Sequence, residues 1–204
     1  MSKIFLAISQ VSDGNMSYVL DNKKIILENR KRFFSRMNIE PKQITEVKQV
    51  HSNKVIFLDS PLAFGKIADG FATNNPKIIL MVKSADCMAI TFFDPKQKAI
   101  ALTHAGFKGL ESGIIKNTID LMKSKFKTNS KDLLITISPS IGPCHYRMDL
   151  WGEAEKQLTA SGVLKKNIDN PKTCTYENLN YFSHRRSQDL KTAEGRFVTI
   201  AGLC

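Results

Sequence analysis

Histidine is scarce in this chain. There are four, His51, His104, His145 and His184, and no His-x-His pair. A multicopper oxidase needs a Cys-plus-two-His copper and a trinuclear cluster fed by many more imidazoles, so counting alone excludes that assembly. Cysteine is equally sparse. Cys87, Cys144, Cys174 and Cys204 lack close paired spacing, which predicts free thiols or ligands rather than a disulfide framework. No apolar run approaches the length of a membrane span. The opening MSKIFLAIS is too short for the hydrophobic core of a signal peptide, so the expected location is the cytoplasm. Internal repeats and low-complexity linkers are absent as well.

What is present is enough for one good core. The chain has 204 residues, 42% of them hydrophobic, and a single domain over 1–204 is expected, acting as a monomer. A net charge of +11 raises nucleic-acid binding, but the lysines are spread along the chain and no recognition motif accompanies them. The charge is read instead as a solvated surface whose field attracts anions such as phosphate.

The apolar pattern predicts strands over Lys3 to Ile8, Ile44 to Val50, Lys54 to Leu58, Ile78 to Val82, Leu133 to Ser138 and Gly195 to Ile200. It predicts helices over Asn22 to Met37 with Asp21 as N-cap, Ser112 to Phe126, Trp151 to about Ala160 and Asn180 to Leu190. Arg30 falls between apolar pairs of the first helix and reads as solvated. Ala68-Asp69-Gly70 reads as a turn. Strands and helices mix rather than alternate, so the expected class is α+β (mixed α/β) rather than a doubly wound parallel sheet.

The stretch from Lys83 to Gly109 concentrates the chemistry. Two apolar runs joined by Asp94-Pro95 read as a hairpin that brings Cys87, with Asp86 beside it, and His104 to one end of a sheet. His51 lies 36 residues before Cys87 in KQVHSNKV, at another strand junction. One thiol and two imidazoles can hold a zinc with one position open, which lowers the pKa of a bound water toward ~7. The same residues also fit a metal-free Cys87 nucleophile activated by His104 and oriented by a carboxylate such as Asp86. A small buried cysteine with two structural imidazoles is the bland reading. Spacing alone leaves all three open. Gly106 and Gly109 open a helix and could present backbone N–H groups to an anion, a weak signal by itself.

Six motifs occur in order: QVHS, the ADG loop, the ADC strand end, HAGxxG, the IGPC loop and YFSHRR…GR, with ENR at 28–30 as a further match. In these the chain resembles, over nearly its full length, the bacterial laccase-domain (YfiH-like) proteins. That family was once described as polyphenol or multicopper oxidases and is related to a human immunometabolic purine enzyme. The resemblance implies a CNF/YfiH-like fold, a compact domain of mixed β-sheets flanked by helices, and one zinc on His51, Cys87 and His104. It implies phosphate-dependent cleavage of the N-glycosidic bond of adenosine, inosine, guanosine and methylthioadenosine, and hydrolytic deamination of adenosine. Cys87, His104 and Asp86 would then be catalytic, Phe107 would line the base, and Lys108, Arg185 and Arg186 would hold phosphate. Three positions depart from the family pattern. Phe107 stands where Trp is usual, Lys108 where Arg is frequent, and Met88 follows ADC where Pro is common. Lys108 keeps the charge but loses the bidentate fork. The chain is also shorter than many relatives.

Overall fold

The computed structural model describes residues 3–61 and 65–204. In chain order the strands are β1 (Ile4–Ile8), β2 (Ile44–Glu46), β3 (Val55–Phe57), β4 (Gly70–Thr73), β5 (Ile79–Ser84), β6 (Met88–Asp94), β7 (Ala99–Ala105), β8 (Leu134–Ile137), β9 (Ile168–Asp169) and β10 (Phe197–Leu203). The helices are α1 (Lys23–Ser35), α2 (Phe107–Glu111), α3 (Ile114–Phe126), α4 (Leu150–Ala160) and α5 (His184–Leu190). The strands form a four-stranded sheet, β1-β10-β5-β2, and a six-stranded sheet, β3-β4-β7-β6-β8-β9. Both contain parallel and antiparallel pairs, as the family resemblance implies.

Side-chain alternation explains the layering. On β5, Leu80 and Val82 point between the sheets, where they meet Phe71 of β4 and Ile100 and Leu102 of β7. Their neighbours Ile79 and Met81 point the other way, onto Phe33 and Phe34 of α1. On the far face of the larger sheet, Ile90 and Phe92 of β6 pack with Ile115, Ile119 and Met122 of α3 and with Leu158 of α4. The result is helix, sheet, sheet, helix. Strands β5, β6 and β7 are covered on both faces, which is why they read as near-continuous apolar runs.

Several local expectations shift. Asn22, not Asp21, caps α1, its side chain accepting the Lys24 N–H at 2.9 Å. Arg30 is buried, not solvated: its guanidinium donates to Glu46 at 2.8 Å and to the Met16 carbonyl, beneath the Tyr18 ring. Helix α5 starts only at His184, because Ser183 caps it by accepting the Arg186 N–H. The two strand runs around His51 do not pair with each other. β2 joins β5 in one sheet and β3 joins β4 in the other, so the His51 corner passes between sheets. Beyond β2, the Gln49 amide both donates to and accepts from the Lys83 backbone, at 2.7 and 3.0 Å. It continues the ladder with a side chain and delivers the chain to His51.

Candidate active site

The hairpin of β6 and β7 performs as the pattern predicts. His104 sits on β7 opposite Ala89, and Cys87 immediately precedes β6. His51 enters from its own corner, with a left-handed φ of 61°. The Cys87 Sγ and one nitrogen of each imidazole all lie within 4.8 Å of one another. The two rings meet edge-on at 4.8 Å. Gly106 closes one side: a Cβ there would sit 2.5 Å from the Cys87 Sγ, so the glycine of the HAG motif makes room for the thiol.

Asp69, read from sequence as a turn residue, is the anchor of this arrangement. Fully buried, it accepts the backbone N–H groups of Val50, His51 and Ser52, the Ser52 hydroxyl at 2.7 Å, and pairs with His104 Nδ1 at 3.0 Å. Burial alone would raise its pKa, but the bonds from His104 and Ser52 hold the carboxyl well below the usual carboxylate range. One ionised group therefore fixes the His51 corner and orients the His104 ring with Nδ1 on Asp69, leaving the other nitrogen for Cys87. Burial also disfavours the Cys87 thiolate, yet His104 and His51 bring its pKa down to about 6. Burial disfavours the His104 imidazolium, and Cys87 with Asp69 raise it to about 9. A thiolate, an exposed imidazole and a carboxylate-oriented imidazole form a donor set suited to a borderline-soft cation. Asp69 is a site residue that sequence reasoning missed. Its signal, ADG, is indistinguishable from a turn until three N–H groups from another segment converge on it.

The three donors open onto a cavity of about 1110 Å³. Phe107, Lys108, Asp86 and Arg185 line it, as do Tyr146 and Arg147, which sequence reasoning did not single out. Arg147 lies over the Phe107 ring at 5.1 Å. Two predicted roles meet a different geometry. The carboxylate facing His104 is Asp69, not Asp86. Both Asp86 oxygens are engaged elsewhere, by the Thr175 hydroxyl and the Arg185 N–H, each at 2.7 Å. Arg186 is not among the cavity residues. Its guanidinium donates to the carbonyls of Thr175, Tyr176 and Tyr181, so it braces a loop where a phosphate ligand was expected.

Two mixed sheets holding a Cys-His-His centre over a basic cavity define a laccase-like, YfiH-type domain. The chain belongs to the family described as multi-copper polyphenol oxidoreductase laccase, whose model matches residues 8–149 and 145–204. It is 29% identical to the purine nucleoside phosphorylase YfiH of Escherichia coli, over 82% of this chain and 78% of that protein. It is 28% identical to the human purine nucleoside phosphorylase LACC1 over 63% of this chain, a stretch that spans only 29% of the human protein. The crystal structure of YlmD from Geobacillus stearothermophilus shares the fold with a TM-score of 0.91 at 22% identity, covering 98% of this chain and 91% of that one.

Proposed function

We propose that the chain is a purine nucleoside phosphorylase. It cleaves the N-glycosidic bond of adenosine, inosine, guanosine and methylthioadenosine with phosphate, and deaminates adenosine, at one centre where His51, Cys87 and His104 hold a zinc ion. The carrying observation is that centre itself: three converging donors, one oriented by Asp69, at a cavity lined by cationic side chains. The names of the E. coli and human relatives supply the reaction class. When bound, zinc supplies a Lewis acid with an open coordination position.

The chain's own residues account for the rest. In phosphorolysis an oxygen of phosphate bonds to the anomeric carbon as the C–N bond breaks, and its electron pair leaves on the purine, which takes up a proton. Lys108, Arg147 and Arg185 face the cavity and hold the anion for attack. Asp86 accepts the Arg185 N–H and so sets where that side chain leaves the backbone; this makes Asp86 a positioning residue. Phe107, backed by Arg147, offers a flat wall for the base. The test is base release from adenosine and inosine with and without phosphate, followed by chromatography. Phosphate-dependent adenine or hypoxanthine is expected, and Cys87→Ala should abolish it together with deamination. Phosphorolysis surviving Cys87→Ala would defeat the shared centre.

A second reading rests on the lowered Cys87 and raised His104 pKa values, which describe a thiolate–imidazolium pair of the kind used by metal-independent cysteine hydrolases. It demands full activity in chelator and inactivation by iodoacetamide. Loss of turnover on chelation, restored by zinc, decides against it.

A further inference from the structure

We infer that Cys144, His145 and Cys174 form a second metal site, which takes a zinc-class cation and staples the loop after β8 to the segment before α5. None of the three lines the main cavity. They come from two segments joined by a parallel bridge between Ser140 and Cys174, tightened by the Ser140 N–H to Thr173 and the Thr175 N–H to Ser140. Their donor atoms lie within 4.8 Å of one another. The two sulfurs are 3.6 Å apart. Tetrahedral zinc with Zn–S of about 2.3 Å sets sulfurs about 3.8 Å apart, whereas a disulfide would bring them to about 2.0 Å. The separation already matches shared coordination.

The surroundings also suit a metal. The Gly142 N–H donates to the Cys174 Sγ at 3.3 Å and fixes its position. The His145 ring is fixed by stacking flat on Tyr176, centroids 3.9 Å apart. Its Nδ1 is buried and makes no hydrogen bond, and the Glu177 carboxylate lies 3.9 Å from it. That carboxylate or water completes a tetrahedron. Partial desolvation and the neighbouring Cys174 push the Cys144 thiol up to about 11, so without a cation Cys144 is not a reactive thiolate at neutral pH. A cation between the sulfurs replaces the Cys144 S–H···S hydrogen bond to Cys174, and binding releases one proton from each thiol. The role is structural. Tyr146 and Arg147 directly follow this cluster and line the main cavity, while Thr175 directly follows Cys174 and donates to Asp86. The staple therefore joins two walls of the cavity.

Metal content of the full chain, purified without chelator and re-equilibrated with zinc alone, tests this. About two ions per chain are expected in the wild type, and about one in each of Cys87→Ser and the double variant Cys144→Ser/Cys174→Ser. If the double variant does not fold, Cys87→Ser loaded with cobalt alone decides: a near-ultraviolet thiolate-to-cobalt band must persist there. Equal metal in the wild type and the double variant overturns the site. So does a cobalt-loaded Cys87→Ser protein without the band, or a Cys144–Cys174 disulfide found by mass in anaerobically purified protein. Should Cys87→Ser lose no metal while the double variant loses all of it, the first centre fails and the second stands.

Discussion

At the scale of single residues, Gly106 shows how tightly the candidate centre is built. An alanine Cβ there would lie 2.5 Å from the Cys87 Sγ, but 3.4 Å from the nearest His51 atom and 3.5 Å from the Cys87 Cβ. Only the sulfur has to move, and one side-chain rotation moves it. Gly106→Ala should therefore fold normally, with an unchanged far-UV spectrum, yet turn Cys87 away from the imidazoles. Phosphorolysis should fall about 100-fold or more, the scale of a misplacement of about 1 Å, and one metal ion per chain should be lost. Turnover and metal content near wild type would mean that the sulfur position is not critical. The residues of this centre were unevenly legible. Cys87, His51 and His104 advertise their chemistry by type. Asp69 does not, because its role depends on burial and on N–H groups from 17 to 19 residues away.

Among the elements, β2 and β5 with α1 carry a buried charge cluster that no periodicity could reveal. Glu46 on β2 meets Arg30 of α1 and Lys83 of β5, each at 2.8 Å. Burial by itself would raise the Glu46 pKa, but Arg30 and Lys83 outweigh it and hold the value below its ordinary 4.5. A depressed pKa means that the ionised form favours folding. The contribution is complete above about 4.5 and is lost as pH falls through the lower folded-state value. Glu46→Gln leaves two cations without their counter-charge and should cost about 3 kcal/mol at pH 7. Urea unfolding of both proteins at pH 7 and near pH 3 checks this, with the gap closing in acid. A gap independent of pH would assign the loss to packing. The hairpin, α3 and the mixing of strands with helices follow from apolar pattern alone, because burial imposes that pattern; the helix-flanked mixed sheets were legible only through the family resemblance. The partition of β2 and β3 between two sheets does not, since strand pairing is a long-range choice that a three-residue strand cannot encode.

On the scale of the whole molecule, a net charge of +11 surrounds a cavity to which Lys48, Lys83, Lys108, Arg147, Arg185 and Arg196 all contribute. Composition made the positive field visible, but the spread of lysines along the chain concealed that the fold gathers Lys48, Lys108, Arg147 and Arg185 around one opening, beside Lys83 and Arg196, which are paired with Glu46 and Glu194. Such a field raises the local concentration of an anionic co-substrate and leaves a neutral nucleoside unaffected. Salt separates the two. Between about 0.01 and 0.1 M ionic strength the screening length falls from about 30 to about 10 Å, roughly from the span of a small domain to the depth of a cleft. The KM for phosphate should rise several-fold over that range, with the KM for inosine and kcat nearly constant. Steady-state kinetics with each substrate varied in turn, and chloride as the added anion, measures this. Equal shifts for inosine and phosphate would reduce the basic rim to ordinary surface charge. A selective rise for phosphate, weakened further in Lys108→Ala, would locate the anion at the mouth of the cavity beside Phe107.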